Sequence, residues 1–294
     1  MWDAPPIPYF CDPSILPAPL PSTLDIRNAT CTLAEGAARV VRVGHHFIAK
    51  YGSQTSRRIQ EGLNMIFVHR NLETPLPLVY AIHEEDNVVY LLMQYVAGQS
   101  LESIWSSLQA KERASILTEL RNIFREIRLL PRPIPLFYGN VCYGPLSYFL
   151  FWTPEPQKSI NGPFTTEKDF CSGLVERLRQ VQTGNNRHPA RVDWFQKHLH
   201  SLLTSHPPTF THGDMQKKNI IVTRTRTGDG DESNFKLTLI DWEDAGWYPD
   251  YFEYFSCYTS FLWDDNWPQM VESFLDPYPV EALVLMSIYH EIFI

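Results

Sequence analysis

Residues 211–222 have the sequence THGDMQKKNIIV, and residues 237–243 have the sequence LTLIDWE. Each stretch contains a short run of apolar residues that is typical of a strand, and the residues between them are rich in Gly, Asp, Ser and Asn. Two strands joined by such a polar loop predict an antiparallel hairpin. Because the start of the first strand then lies beside the end of the second, we expect Asn219 and Asp241 together at the open end of the hairpin.

The polar residues of this hairpin suit the transfer of a phosphate group. The amide oxygen of Asn219 and the carboxylate of Asp241 are hard oxygen ligands of the kind that Mg²⁺ accepts while it also binds substrate phosphates. Asp214 lies five residues before Asn219, so the intervening turn brings it to the same end. Its carboxylate could accept a hydrogen bond from an attacking hydroxyl group and orient it toward a terminal phosphate. These three side chains predict a magnesium-dependent kinase.

The composition indicates a globular protein and argues against several classes of partner. Of the 294 residues, 44% are hydrophobic and 20% are charged, and the formal net charge is -8 with no run of Lys or Arg. We therefore expect no nucleic-acid partner. No stretch reaches the roughly 18 consecutive apolar residues of a membrane-spanning helix, so no membrane association is expected. The sequence predicts no protein partner either.

The N-terminal residues and the cysteines predict a cytoplasmic location. The chain begins without a basic segment or an unbroken apolar stretch, so no signal peptide is predicted. The five cysteines are scattered and include no Cys-x-x-Cys pair, which argues against a zinc site and a disulfide framework. A reducing, cytoplasmic compartment fits this pattern best.

The sequence pattern changes near residue 97 and predicts an α+β protein with two lobes. Residues 1–21 carry seven prolines and are expected to form an extended arm. Residues 22–96 are predicted to form a small, strand-rich N-terminal lobe with one amphipathic helix at 56–68. Residues 97–294 are predicted to form a larger, mainly helical C-terminal lobe that only the two hairpin strands interrupt. Strands of the N-terminal lobe are predicted at residues 30–33, 38–43, 47–51, 78–82 and 88–93.

The hairpin motifs closely resemble the catalytic and metal-binding segments of the aminoglycoside phosphotransferase and choline kinase superfamily, whose members share the eukaryotic protein-kinase fold. The sequence IDWEDAGWYPDY at residues 240–251 looks most like the fungal aminoglycoside-phosphotransferase-like branch. The resemblance implies Asp214 as the catalytic base or orienting group, Asn219 and Asp241 as Mg²⁺ ligands, and ATP bound between the lobes. The chain has no Gly-x-Gly-x-x-Gly loop and no Asp-Phe-Gly or Ala-Pro-Glu segment, which disfavours a protein substrate.

The same resemblance assigns nucleotide-binding residues further upstream, and it covers about residues 22–260. Lys50, in the third predicted strand, occupies the place of the lysine that contacts the phosphates of the nucleotide. Glu61, on the following helix, matches the acidic residue that pairs with this lysine. The segment LLMQYVAG resembles the hinge, in which backbone groups of Gln94 and Val96 would bond adenine.

Three other residues near these motifs, Lys217, Lys218 and Glu243, each allow two interpretations. Lys217 and Lys218 could steady the transferring phosphate, although adjacent lysines in a polar loop are usually solvated. Glu243 could reach the metal ions through water or could serve only as a hydrogen-bond acceptor behind them. We expect His212 to hold the catalytic loop as a structural donor, and Asp250 to fix that loop from behind.

We therefore predict a small-molecule kinase that transfers the γ-phosphate of ATP to a hydroxyl group. The alternative is a non-catalytic nucleotide-binding or scaffold protein with the same fold, but a scaffold needs none of Asp214, Asn219 and Asp241. Acidic residues among aromatic side chains suit an ammonium group, so we expect a cationic acceptor such as an amino-alcohol or an aminoglycoside-like compound. These acidic residues are Glu243, Asp244, Asp250, Glu253, Asp264 and Asp265.

Overall fold

The structure is a computed structural model of the chain. It describes residues 2–52, 55–226, 233–259 and 265–293. Its elements fall into two compact units. The first, called the sheet unit below, contains Trp2–Arg113 and Lys217–Glu243, and the second, called the helical unit, contains Ala114–Gln216 and Asp244–Ile294.

The sheet unit is built on a six-stranded antiparallel sheet with the strand order β1-β5-β6-β4-β3-β2. The strands are β1 (Tyr9–Phe10), β2 (Cys31–Ala34), β3 (Arg39–Val43), β4 (Phe47–Gly52), β5 (Val79–Glu85) and β6 (Val88–Gln94). Strands β5 and β6 carry most of the buried apolar residues of the sheet. All five strands predicted for the N-terminal lobe are present.

Two helices and the N-terminal arm pack around this sheet. Helix α1 (Thr23–Arg27) is capped by Ser22. The Ser22 hydroxyl accepts the N–H of Asp25, and the Asp25 carboxylate accepts the N–H of Ser22. Helix α2 (Thr55–Asn71) is the predicted amphipathic helix. The proline-rich arm adds β1 to the edge of the sheet beside β5, so it is bound to the sheet unit by backbone hydrogen bonds.

A second sheet of the same unit contains the predicted hairpin. Strand β9 (Ile220–Arg226) pairs antiparallel with β10 (Ser233–Leu239), and the register places Leu239 opposite Ile220. The short strand β7 (Gln99–Ser100) pairs with the other edge of β9, and helix α3 (Leu101–Ile104) follows it. The open end of the hairpin therefore brings residues 219 and 240 side by side, as predicted.

The helical unit combines long helices with one small sheet. Its helices are α4 (Ala110–Arg128, which begins in the sheet unit), α5 (Lys158–Asn161), α6 (Glu167–Gly184), α7 (Ala190–Leu202), α8 (Phe252–Thr259), α9 (Trp267–Phe274) and α10 (Pro279–Phe293). None of the helices in the described ranges combines the length and the apolar character that a membrane span requires. The predicted α+β fold class is confirmed.

The small sheet corrects the expectation that only the hairpin strands interrupt the helices. Strand β8 (Pro208–Thr211) pairs antiparallel with β11 (Gly246–Pro249). Both strands have four residues and are buried on both faces, so neither shows the alternation that identifies a half-buried strand. Each also carries a proline at the position where the pair ends, which argues against a strand when only the sequence is considered.

Candidate active site

Lys50 lies at the centre of an ionic network in the sheet unit. Its Nζ is 2.9 Å from Oε2 of Glu61, 2.6 Å from Oδ1 of Asp241 and 3.5 Å from Oε2 of Glu243. Strand β4 directs the side chain inward, where it is 11% exposed. Burial disfavours the ammonium charge, but the attraction of the three carboxylates outweighs it and raises the pKa of Lys50 above its ordinary value. Lys50 is thus a fully charged cation held among acids.

Glu61 is buried, although glutamates on an amphipathic helix are usually solvated. Its side chain is 1% exposed and contacts both Lys50 and Arg58. Burial raises the pKa of the Glu61 carboxyl, an effect that the two cations oppose. The structure therefore brings Lys50 and Glu61 together in the pair that the family resemblance implies.

The metal-ligand candidates Asn219 and Asp241 occupy the open end of the hairpin. The backbone N–H of Ile240 donates to the carbonyl of Asn219 at 3.0 Å, which fixes the two chain segments side by side. Asp241 has a φ of 66°, in the left-handed region that costs a non-glycine residue about 1–2 kcal/mol. The side chain of Asp241 remains 28% exposed. Its carboxylate, like the amide of Asn219, offers oxygen of the kind that Mg²⁺ accepts.

The segment that carries Asp241 is anchored on both sides. Trp242 is fully buried, and its indole N–H donates to the carbonyl of Leu239 at 3.0 Å. The Asn64 side chain donates to the carbonyl of Trp242 at 2.8 Å. The carboxylates of Glu61, Asp241 and Glu243 each offer one oxygen within 4.8 Å of the others. A rigid segment thus presents acidic oxygens beside the Lys50 ammonium.

The two hinge candidates differ in the backbone groups that they leave available. The N–H of Gln94 donates to the carbonyl of Leu78 at 2.8 Å, and the Leu78 N–H donates to the Gln94 side chain at 3.3 Å. The N–H of Val96 has no hydrogen-bond partner within the described part of the chain. Gly98 closes the hinge, because a Cβ at this position would lie 2.7 Å from the Val222 carbonyl oxygen. Val96 is therefore the hinge residue with a donor left for a ligand.

In the helical unit, a tight turn after β8 presents Asp214. Gly213 has a φ of 84°, and a Cβ on it would lie 2.8 Å from the carbonyl oxygen of Asp244, so only glycine fits without strain. The N–H of Asp214 donates to Nδ1 of His212 at 3.3 Å. The side chain of Gln216 donates to the Asp214 carboxylate. These contacts fix the position of the Asp214 side chain.

Glu253 anchors this turn, a role that we had predicted for Asp250. One oxygen of the Glu253 carboxylate accepts the N–H of His212 at 2.6 Å, and the other accepts the N–H of Gly213 at 3.3 Å. Burial raises the pKa of the Glu253 carboxyl to about 7. Asp250 instead accepts from Arg128 through its backbone carbonyl at 3.0 Å. Asp250 lies in the turn before α8, whereas Glu253 lies in the first turn of that helix. The residue that anchors the Gly213 turn is thus three positions later in the chain than predicted.

Most of the acidic residues that suggested a cationic acceptor are engaged within the protein. Glu243 binds Arg58, Glu253 supports the turn at Gly213, and Asp265 accepts the N–H of Trp267 at 2.8 Å. Asp244 is buried, and Asp264 lies outside the described residues.

The two lysines of the catalytic segment have different surroundings. Lys217 places its ammonium 6.0 Å from the ring centre of Trp105, and Lys218 is exposed.

Sequence reasoning missed Arg58 and Asn64. Together with Glu61 they are spaced by three residues, which places them on one face of α2. Polar residues on an amphipathic helix are expected to face solvent, yet these three are buried. The spacing was a usable signal, because charged residues of opposite sign and an amide on one face can form a polar stripe.

Known proteins resemble this chain in sequence and in fold. A model described as "Phosphotransferase enzyme family" matches residues 33–282. No curated protein sequence matches the chain significantly. Among solved structures, a candidate fructosamine-3-kinase from Haemophilus somnus 129PT has a TM-score of 0.58 at 15% identity, with 89% of this chain and 82% of that chain covered.

Two aminoglycoside phosphotransferases have a similar fold. For the ADP-bound APH(2'')-Ib the TM-score is 0.59 at 15% identity, with 90% of this chain and 85% of that chain covered. For the gentamicin complex of APH(2'')-IIa the TM-score is 0.59 at 14% identity, with 90% and 83% covered. Similarity at this level of identity concerns the fold alone, which is therefore the kinase-like α+β fold that the sequence predicts.

Proposed function

Because the chain belongs to the phosphotransferase enzyme family, we propose that it is a kinase that uses ATP and Mg²⁺ to phosphorylate a hydroxyl group of a small molecule. The observation that supports this most directly is the network around Lys50. A largely buried lysine 2.6 Å from Asp241 and 2.9 Å from Glu61 has the charge needed to bind phosphate oxygens and lies beside the carboxylate assigned to the metal.

The sheet unit supplies the residues proposed to bind the nucleotide. Lys50 contacts the phosphates, and Glu61 holds its ammonium in place. The N–H of Val96 and the carbonyl of Gln94 bond the adenine edge. The binding of ADP by APH(2'')-Ib, which has a similar fold, supports a nucleotide site of this kind.

Asn219 and Asp241 are proposed to hold Mg²⁺. When bound, the ion neutralises the charge that develops on the phosphate oxygens during transfer. The protein's part is to present the amide and the carboxylate in a fixed geometry. The hydrogen bond between residues 219 and 240 and the burial of Trp242 support that part.

Asp214 is proposed to orient the acceptor hydroxyl and to accept its proton. Its carboxylate is positioned by Gln216, and the turn beneath it is held by Glu253. Such a role contributes mainly through positioning, because little covalent chemistry is required of the protein in phosphoryl transfer.

The acceptor is proposed to be a cationic amino-alcohol or aminoglycoside-like compound. The acids that first suggested this class are mostly bound within the protein, so its support comes from APH(2'')-IIa, which binds gentamicin. Amino-alcohols and aminoglycosides should therefore stimulate ADP release from MgATP more than neutral polyols or hydroxy acids do. A preference for anionic acceptors would contradict the cationic class and leave the kinase proposal intact.

The kinase proposal is tested with Asp214→Asn. We expect this variant to keep the affinity of the parent for MgATP, while turnover of a productive acceptor falls by about 10²–10⁴-fold because the proton acceptor is lost. Calorimetry measures the affinity and a coupled assay measures ADP release. Parental turnover by the variant would refute the role of Asp214. Nucleotide binding by the parent without turnover of any acceptor would favour the non-catalytic alternative.

The proposed metal site is tested with Asp241→Ala. MgATP should bind this variant much more weakly than the parent, and adding Mg²⁺ to ATP should no longer improve its affinity. The matched control is Asp86→Ala, which removes an exposed aspartate of the same unit whose ion pair with Arg27 is also exposed. If calorimetry gave equal MgATP affinities for the two variants, the metal assignment would be wrong.

A further inference from the structure

Arg58 is a buried cation that the proposed chemistry does not yet use. It is 2% exposed, and its NH1 lies 2.9 Å from Oε2 of Glu61 and 2.8 Å from Oε2 of Glu243. One guanidinium nitrogen thus bridges two carboxylates from different parts of the sequence. Since the side chain is enclosed, it can act only through the groups that it binds.

The bridge belongs to a polar face of helix α2. Arg58, Glu61 and Asn64 lie three residues apart along this face, and all three are buried. Each is linked to the segment 241–243, either directly or through Lys50. Arg58 binds Glu243 directly, Glu61 reaches Asp241 through Lys50, and the Asn64 amide donates to the carbonyl of residue 242 at 2.8 Å.

The charges explain why the bridge matters for Lys50. Glu61, Asp241 and Glu243 all lie within 3.5 Å of the Lys50 ammonium, so three carboxylates surround one cation. Arg58 adds a buried cation to this cluster and binds two of the three acids, while the partly exposed Arg57 lies 3.9 Å from Glu243. A buried carboxylate that loses its cation becomes strongly unfavourable. Without Arg58, Glu61 or Glu243 would have to move or take up a proton, and either change would alter the surroundings of Lys50.

We propose that Arg58 is a positioning residue that binds Glu61 and Glu243 at the same time and thereby fixes Lys50 and Asp241 relative to each other for magnesium-nucleotide binding. This inference rests on the proposed function. It assigns a second anchor to the lysine–glutamate pair and gives Glu243 a role as the counter-ion of Arg58 rather than as a ligand of the metal ion.

The experiment compares variants of the full chain by calorimetry with MgATP. Arg58→Met should lower the affinity by at least about ten-fold, the usual size of effect when a residue behind a binding group is lost. Arg58→Lys should lie between this variant and the parent, because an ammonium keeps the charge but lacks the planar fork of arginine. Arg70→Met is the matched control: it removes an exposed arginine from the same helix and should leave the affinity unchanged.

A double variant separates positioning from a purely structural role. Arg58→Met, Glu243→Gln removes the cation together with one of the two acids that it binds, so its melting temperature should recover toward that of the parent. Its affinity for MgATP should stay low, because Arg58 no longer ties Glu61 to residue 243 and only Lys50 still links Glu61 to the segment 241–243. Recovery of the affinity together with the stability would overturn the proposal, as would parental affinity in Arg58→Met. Failure of the parent chain to bind MgATP would instead refute the proposed function, and this inference with it.

Discussion

At the scale of single residues, the turn that presents Asp214 in the helical unit is held by a buried carboxylate. Glu253 is 3% exposed and accepts two backbone N–H groups of the turn that precedes Asp214. Burial favours the neutral form of the side chain, while the two donors favour its ionised form. Because burial has the larger effect, the group changes its charge near neutral pH.

This balance predicts the pH dependence of folding stability. The folded-state pKa of Glu253, about 7, lies above the ordinary value of 4.5, so the folded protein binds this proton more tightly than the unfolded chain does. The resulting stabilisation is complete below pH 4.5 and is lost as the pH rises through 7. Relative to Glu253→Gln, the parent should lose about 1–3 kcal/mol of unfolding free energy over this interval.

Urea titrations of the two proteins at several pH values measure the difference. A control with Glu176→Gln changes a partly exposed glutamate of the same unit, whose ion pair with Arg179 is also partly exposed. That variant should follow the parent at every pH. A constant difference between the parent and Glu253→Gln would contradict the assignment.

Residue roles differ in how far the sequence reveals them. Lys50, Glu61, Asn219 and Asp241 follow from family motifs, and their placement in the sheet unit agrees with those motifs, while their chemical roles stay predictions. Arg58 could not be identified in the same way. Its burial depends on Glu243, which lies far away in the sequence, and local patterns carry no information about such a partner.

At the scale of secondary-structure elements, strand β8 and the turn after it show where local sequence signals fail. The long, alternating or fully apolar strands of the six-stranded sheet are predictable, because their periodicity is regular. The β8–β11 pair is not predictable, because four-residue strands bounded by prolines look like loops. Yet this pair delivers the turn that carries Asp214, so an unpredicted element supports the predicted residue.

The turn itself predicts the effect of Gly213→Ala. The new Cβ would lie 2.8 Å from a backbone oxygen and would require a left-handed conformation. We expect a loss of about 1–3 kcal/mol in unfolding free energy and a fall in turnover, since the backbone must move next to Asp214. Chemical denaturation and the ADP-release assay measure the two effects.

Gly184→Ala provides the control for this substitution. Gly184 ends helix α6, and no atom lies within 4 Å of the position that its Cβ would occupy. This variant should change stability by less than about 1 kcal/mol and leave turnover as in the parent. Equal stability of the two alanine variants would show that the turn can adopt another conformation without cost.

At the scale of the whole molecule, the division into units does not follow the order of the chain. Lys217–Glu243 belongs to the sheet unit, although segments of the helical unit precede and follow it in the sequence. The predicted lobe boundary near residue 97 was drawn from composition, which describes continuous stretches only. Composition cannot reveal that a distant hairpin completes the first unit, so this part of the organisation required the structure.

This arrangement predicts that the N-terminal part cannot fold stably alone. A fragment of residues 2–113 would lack Asp241 and Glu243, the partners of buried Lys50 and Arg58, and also the hydrogen bond from the Leu239 N–H to the Pro75 carbonyl at 2.9 Å. We expect no cooperative unfolding transition from this fragment. Joining residues 217–243 to it through a flexible linker should restore one, as measured by circular dichroism. Cooperative unfolding of the shorter fragment at the same midpoint would contradict the prediction.

The contact between Lys50 and Asp241 at 2.6 Å also has a kinetic consequence. If Asp241 holds Mg²⁺ as proposed, the ammonium and the metal ion would compete for its carboxylate, and free Mg²⁺ would have to displace Lys50 while no phosphate is present to bind the ammonium. In the proposed kinase, a magnesium nucleotide would remove that competition, because its phosphates would bind the ammonium while the Asp241 carboxylate would hold its metal. Binding should therefore proceed as an exchange of counterions in which metal and nucleotide enter the site together. Calorimetric titration with Mg²⁺ alone should give little heat until nucleotide is present.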